Sequence, residues 1–382
     1  MHLVVELFYM KRVAIDSGPL KTGHSVRGIG AHTRELIAAI KEVVSKNENT
    51  ILDSFDFSSA NPGKLSNYDI LHYTSFHPYF ISLSFKKLAP KVILTIHDLI
   101  PLIYPDHYVP GFKGKVRFLV NKFLIKKNVD KIITISETSK KDICRFLNIA
   151  PSKVEVIYIA PPKAITDAKV NLGFCQDVKK KYNLPEKFAM YLGDVNYNKN
   201  IPVLVEACKI AKIPLVIVGK HALDIEVGSG LDTLVGPMDY IRFLFGRPHP
   251  EMSHYEDIHV NFNNNNVIRL GYIDYKTLAA IFKLASVYVQ PSLYEGFGFP
   301  LVEAFYIGCP VVASRTQALV EIGEGAALFA DPNDPNDFAI KIKNMIQNKT
   351  LRNQLIETGK IKVADFTWEK TAKETLEVYK NV

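Results

Sequence analysis

Apolar residues in this chain fall into short runs separated by longer stretches with helical spacing. The first run, residues 11–17, predicts a strand. A loop over 18–30 and an amphipathic helix over 32–45 follow it. Further runs at 70–72, 92–96, 131–135 and 154–157 predict strands, with helical stretches between several of them. A less regular segment, 161–185, leads into a second alternating set, with strands at 188–192, 215–218, 267–270, 287–289, 311–313 and 327–329. Such alternation predicts α/β architecture, with parallel sheets covered by helices. The stretch 221–266 is long for a connection and predicts some helix plus a flexible tip. At 382 residues the chain exceeds what one core usually serves, so two domains are expected.

The most informative segment is 287–314. Pro291 and Ser292 end a buried strand, Gly296 to Pro300 reads as a glycine-bearing loop, and 301–307 as a helix stopped by Gly308 and Pro310. Glu295 stands at the strand's exit and Glu303 within the first turns of the helix. Backbone N–H groups at the positive helix end suit a phosphate. A favourable dipole explains Glu303 alone but not Glu295 before the loop as well. Carboxylates on both sides of a phosphate cradle point to hydroxyl recognition at both ends of a diphosphate, as in a nucleotide sugar.

Composition narrows the classes. Hydrophobic content of 47% with 23% charged residues is ordinary for a soluble globular protein. No uninterrupted apolar run approaches the roughly 20 residues that span a bilayer. The first dozen residues carry no basic leader or small-residue cleavage site, and Glu6 interrupts their apolar stretch, so no signal peptide is expected. Cys144, Cys175, Cys208 and Cys309 are far apart and form no CxxC pair, which fits reduced thiols in the cytoplasm. The acids at 331, 334 and 337 lack the alternate-position spacing of a calcium loop and read as a turn and helix N-cap. No metal site is expected. Near the end, Thr367 reads as an N-cap and Trp368 as a packing anchor.

The formal charge of +8 is uneven: between 86 and 145 stand thirteen Lys/Arg and five Asp/Glu. There, 111–127 mixes cations with Phe112, Phe118, Leu119, Phe123, Leu124 and Ile125. On a helix this is either a basic face suited to an anionic membrane surface or a core-facing helix with a solvated basic side. No recognition motif accompanies the charge, so nucleic acid is not an expected partner.

Several blocks in order carry a family resemblance: Arg27-Gly-Ile-Gly30, His97-Asp-Leu-Ile-Pro-Leu-Ile-Tyr-Pro105, Ile133-Thr-Ile-Ser-Glu-Thr-Ser-Lys140, and Tyr191-Leu-Gly-Asp-Val-Asn-Tyr-Asn-Lys-Asn200. Arg269-Leu-Gly-Tyr-Ile, the paired-glutamate segment and Phe366-Thr-Trp-Glu-Lys complete the series. Over nearly its whole length the chain resembles the retaining GT-B glycosyltransferases of family 4, the glycosyl transferases group 1, which include bacterial mannosyltransferases. The resemblance implies two Rossmann-like domains facing across a cleft: 1–165 on the acceptor side and 166–365 binding nucleotide sugar. The helix 366–382 would return to the first domain.

By position, the resemblance implies that Glu295 holds donor-sugar hydroxyls and Glu303 the ribose hydroxyls. The backbone of Gly296, Phe297 and Gly298 would contact sugar and phosphate, and Lys199 the diphosphate. Gly28 and Gly30 would let the first-domain backbone approach the phosphate or sugar. His97 would contact the sugar near the reacting carbon, making His97, Lys199 and Glu295 the catalytic candidates, while Asp98 caps or orients. Many members carry an arginine near the lysine; here those positions are Asp194 and Asn198, leaving Arg27 and Lys220 as candidates for the second cation.

The implied reaction moves a hexose, with GDP-mannose the favoured donor, to a hydroxyl of a glycan or lipid-linked glycan in cell-envelope polysaccharide synthesis, with no cofactor required. The implied location is cytoplasmic or peripheral at the inner membrane face. A phosphorylase, a nucleotide-sugar epimerase and a catalytically silent partner of a glycan assembly complex are the alternatives.

Overall fold

The computed structural model describes residues 11–21, 28–45, 50–219, 222, 223, 262 and 266–382. The chain divides into two compact units. The first runs to Ile103, resumes over Pro110–Pro162 and includes Phe366–Val382; the second comprises Tyr104–Val109 and Lys163–Asp365.

In the first unit the strands are β1 (Lys11–Asp16), β2 (Thr50–Phe55), β3 (Ile70–Tyr73), β4 (Lys91–Thr95), β5 (Lys131–Thr134) and β6 (Val154–Val156). They form one parallel sheet in the order β2-β1-β3-β4-β5-β6. In register, Val13 of β1 faces Leu52 on one side and Ile70 on the other. The inner strands are continuous apolar runs because both sheet faces are covered; all four residues of β3 are buried. Edge strand β2, Thr-Ile-Leu-Asp-Ser-Phe, escapes the run pattern because half of it is polar.

The first helix spans Ile29–Val44, starting three residues before the expected 32 because Gly28, at φ 59°, already caps it. Its buried face packs on the last helix, Trp368–Lys380. That last helix is tied to the first unit by polar contacts as well as packing. Trp368 Nε1–H donates to the Pro161 carbonyl at 2.8 Å, Thr371 Oγ1 to the Tyr158 carbonyl at 2.8 Å, and Lys11 Nζ to the Tyr379 carbonyl at 2.8 Å. Thr367 accepts from the Lys370 N–H, as its capping role requires.

Helix Gly111–Asn128 buries Gly114, Asn121, Leu124, Ile125 and Asn128, whereas Phe112, Leu119 and Phe123 face solvent and Phe118 is half-buried. The core-facing reading accounts for Leu124 and Ile125 but not for the exposed Phe112, Leu119 and Phe123. Among the described residues, no helix is long and apolar enough to cross a membrane.

The second unit holds β7 (Ala189–Leu192), β8 (Leu215–Val218), β9 (Val267–Leu270), β10 (Val287–Gln290), β11 (Val311–Ser314) and β12 (Ala327–Ala330). They form a second parallel sheet in the order β12-β11-β10-β7-β8-β9. The irregular stretch after Pro161 contains helices Lys163–Thr166 and Leu172–Lys181. Almost all of the long connection 221–266 lies outside the described residues. Tyr104–Val109, inside the first expected domain, clusters with this unit for a local reason. His107 stacks on Tyr197, with ring centroids 3.3 Å apart, and the Tyr108 hydroxyl donates to Asn198 Oδ1 at 2.7 Å.

The acids 331–337 make a turn and a cap: Asp331 accepts from the Asn333 N–H, and Asp334 caps helix Pro335–Gln347. All four cysteines are thiols, and burial pushes those of Cys208 and Cys309 up to about 12.

Trp368→Phe keeps an aromatic ring in the core but takes the indole donor away from the buried Pro161 carbonyl. The expected cost is about 1–3 kcal/mol. It is read as a lower midpoint in urea unfolding with an unchanged slope.

Candidate active site

In the second unit, fully buried β10 delivers the chain to Pro291, and residues 291–298 turn it into helix Phe299–Ile307. The helix thus begins two residues before the expected 301. Pro300 sits in its first turn, where a missing N–H breaks no helical bond. Gly298 is left-handed at φ 93°, and a Cβ there would stand 2.6 Å from Leu319 Cδ2. Only glycine fits.

Glu295 is 8% exposed, so its carboxylate must be partnered. Lys199 Nζ lies 2.8 and 2.9 Å from its two oxygens. Oε1 also accepts from Gln290 Nε2 at 3.0 Å and from Ser292 Oγ at 2.6 Å. Lys199 ends the 3-10 turn Tyr197–Lys199, and its side chain keeps 23% exposure.

Two asparagines stitch that turn to the loop carrying Glu295. Asn198, which is buried, donates through Nδ2 to the Tyr294 carbonyl at 3.1 Å, while its own carbonyl accepts from the Leu293 N–H at 2.8 Å. Asn200 donates to the Pro291 carbonyl at 3.0 Å and to that of Pro332 at 2.6 Å. Asn200 also adopts φ 55°, a conformation asparagine tolerates, and thereby turns the chain into helix Ile201–Ala211.

Glu303 is buried on the helix after the loop, and Phe297 is buried within the loop. Burial holds the Tyr288 hydroxyl well above its ordinary pKa, and Tyr191, Glu295 and Glu303 nearby add to that rise. Lys199, Glu295, Phe297, Gly298 and Glu303 therefore share one βα turn region. Gln290, Ser292 and Asn200 belong to it too and were missed. Their signal is weak: polar residues at the end of an apolar strand or turn, with nothing in their spacing to mark them.

In the first unit, His97 follows β4 and is buried, with neither ring nitrogen hydrogen-bonded. Its ring stands edge-on to His32, centroids 4.6 Å apart, and His32 in turn lies 5.9 Å from Trp368. His32 Nδ1 also has no hydrogen-bond partner. Because His32 is in the first turn of the helix that Gly28 caps, it joins Gly28 and buried Gly30 to His97. Only its position two residues past Gly30 could have pointed to it. At Gly28 the constraint is conformational, since a Cβ would meet open space but φ is 59°. The His97 carbonyl accepts from Ser139 Oγ at 2.8 Å, and Asp98 accepts from the Ile100 N–H, an orienting contact. Desolvation lowers the pKa of His97 to about 4, so its imidazole is neutral at neutral pH.

Arg27 and Lys220 lie outside the described residues. Asn198 offers no substitute cation, its amide being engaged as above. Among the described residues, no group of three or more His, Cys, Asp or Glu is placed to hold a metal ion.

Two family signatures match this chain: Glycosyltransferase Family 4 over residues 21–160, and Glycosyl transferases group 1 over residues 176–362. The chain belongs to the group 1 glycosyltransferases. Among relatives, it is 25% identical over 305 residues to O-antigen chain mannosyltransferase B of Escherichia coli, covering 76% of this chain and 70% of the relative. It is 26% identical over 317 residues to the serotype-specific mannosyltransferase WbdA of Escherichia coli, 81% of this chain but only 36% of that longer protein.

Among solved structures, sucrose-phosphate synthase from Thermosynechococcus elongatus superposes with a TM-score of 0.68 at 20% identity, covering 97% of this chain and 98% of the other. Anabaena HepE in complex with UDP-glucose gives 0.65 at 15% identity, covering 97% and 100%. These likenesses show the GT-B fold of the glycosyltransferase.

Three buried histidines of its first unit set a pH dependence. Desolvation lowers His97 to about 4 and His72 to about 3, with the nearby His97 adding to the fall at His72; His32 is also held well below its ordinary value by burial and by both neighbours. Folded pKa values below the unfolded value near 6.5 mean that the unfolded chain takes up protons first. This contribution to stability is complete above about pH 6.5 and drains as pH falls toward 4. Between pH 7 and pH 5, His97 alone is expected to cost about 2 kcal/mol. Urea unfolding at the two pH values checks this, and His97→Gln should shrink the drop.

Proposed function

We propose that this glycosyltransferase moves mannose from GDP-mannose to a hydroxyl of a cell-envelope polysaccharide, with retention at the anomeric carbon. One observation carries the reading: a buried carboxylate and the ammonium of a partly exposed lysine are paired beside a glycine turn that opens a helix. A diphosphate competes for Lys199 by charge and for the loop's N–H groups by hydrogen bonding. Once Lys199 turns to phosphate, Ser292 and Gln290 still hold Oε1 of Glu295. Oε2, released by Lys199, can then accept from sugar hydroxyls. Glu303 takes the ribose hydroxyls in this reading.

In the transfer step the bond between the anomeric carbon and the diphosphate oxygen breaks while the acceptor oxygen bonds to the same face. The acceptor's proton passes to the departing phosphate oxygen. Lys199 and the N–H groups of Gly296, Phe297 and Gly298 meet the charge that develops on that phosphate. In the first unit, the neutral imidazole of His97 suits contact with an uncharged sugar hydroxyl. Mannose is supported by relatives named as mannosyltransferases, and a nucleotide-sugar donor by the complex of HepE with UDP-glucose.

Glu295→Ala and Glu303→Ala are each expected to lower transfer at least about 100-fold, a loss of about 2.7 kcal/mol of transition-state stabilisation. Affinity for free GDP should survive Glu295→Ala and fall with Glu303→Ala, as measured by calorimetry. Wild-type transfer by both variants would sink the assignment. In a thermal-shift comparison, GDP-mannose should raise the melting temperature more than UDP-glucose or ADP-glucose, since only a ligand of the native state stabilises it. A larger response to either of the others moves the donor to that nucleotide.

A further inference from the structure

Helix Gly111–Asn128 has a buried face and, opposite it, an exposed apolar stripe. The buried face is Gly114, Asn121, Leu124, Ile125 and Asn128, with the two asparagines bonded to backbone carbonyls. The stripe is Phe112, Val116, Leu119 and Phe123, spaced four, three and four residues apart. At 3.6 residues per turn these four fall within about 60° of one another, directly opposite the buried face. Phe112 is 83% exposed, Leu119 66% and Phe123 61%, so among the described residues nothing covers the stripe.

Lysines border the stripe on both flanks: Lys115, Lys122 and Lys126 on one side, Lys113 and Lys127 on the other. The helix has six Lys/Arg and no acid. The segment beside it extends the surface. Asn121 donates to the carbonyls of Pro78 and Phe80, fixing a loop on which Phe80, Ile81 and Phe85 are also exposed, with Lys86 and Lys87 following. Arg117 stands over the Phe80 ring, 5.9 Å from its centroid.

A solvent-facing row of three large side chains with two aromatic rings is costly unless something apolar covers it. The charge around it selects the cover. A protein partner would need an acidic rim matching lysines on both flanks. An anionic bilayer supplies apolar depth for the rings and negative headgroups for the cations at the same time. Long lysine side chains at the flanks can lie along the apolar surface and keep their charge at headgroup level.

We propose that the outer stripe Phe112–Val116–Leu119–Phe123 docks the first unit onto an anionic lipid bilayer, with the rings in the interface and the flanking lysines on phosphate headgroups. The test is co-sedimentation of the full chain with lipid vesicles. The protein should pellet with vesicles of phosphatidylcholine mixed with phosphatidylglycerol and stay in solution with phosphatidylcholine alone. Salt at about 0.5 M, where the Debye length is only a few ångström, should release it.

Phe112→Ser/Leu119→Ser/Phe123→Ser should lower the vesicle-bound fraction at least tenfold, and Lys115→Gln/Lys126→Gln/Lys127→Gln should abolish the preference for phosphatidylglycerol. All these positions are exposed, so both variants should melt like the wild type; the salt arm tests the charge contribution without any substitution. Wild-type protein that ignores anionic vesicles overturns the proposal, as does binding that survives the serine variant. A concentration-dependent dimer lost in the serine variant, without vesicle binding, overturns it too and makes the stripe a contact between copies.

Discussion

The second unit is organised around one constraint, a carboxylate kept out of water at the end of β10. A buried Glu295 without partners would cost several kcal/mol. Its partners come from three places: Gln290 on the strand itself, Ser292 in the turn and Lys199 from the turn after β7. Meeting that demand fixes the neighbouring backbone. Asn198 and Asn200 must hold the lysine's turn against 291–294, and the chain must then reverse into a helix within a few residues, which places Gly298 in the left-handed region. The arrangement joins stability to chemistry, because Lys199, which partners the buried carboxylate, is also the group a diphosphate would engage.

The first unit shows how one residue type serves two ends. His72 is buried and satisfied on both sides, with Tyr379 OH 2.6 Å from Nδ1 and Thr95 Oγ1 2.7 Å from Nε2, so it helps anchor the last helix. His97 is buried with both nitrogens unpartnered. A polar group in that state is costly in a native protein and persists where function keeps it. That contrast is a physical observation that supports the proposed sugar contact at His97.

What the sequence disclosed follows the strength of each local signal. Apolar strands such as β3, β8 and β10 declare themselves, because burial on both faces leaves no polar positions to blur them. Edge strand β2 does not, and neither does the segment Tyr104–Val109, whose placement rests on a ring stack and one hydroxyl contact made far along the chain. Glu295 and Glu303 stood out by flanking a glycine loop and Lys199 through the order of motifs, but that Lys199 pairs with Glu295 across 96 residues is a tertiary fact that no spacing encodes. His32 is similar, legible only as a neighbour of Gly30 until the fold sets it against His97.

Helix Gly111–Asn128 exposes a deeper limit of pattern reading. Periodicity identifies an amphipathic helix by the difference between its two sides, and a helix with apolar stripes on opposite faces cancels that difference. Its sequence therefore offered two readings, core-facing or membrane-facing, as though they excluded each other. They do not. The inner face packs into the core, the outer stripe is left uncovered by the described residues, and the lysines between them are compatible with both. The same eighteen residues can hold the first unit together and present it to a surface. Unlike the buried pair at Glu295, whose partners come from neighbouring turns of the same unit, the outer stripe is left uncovered by the described residues.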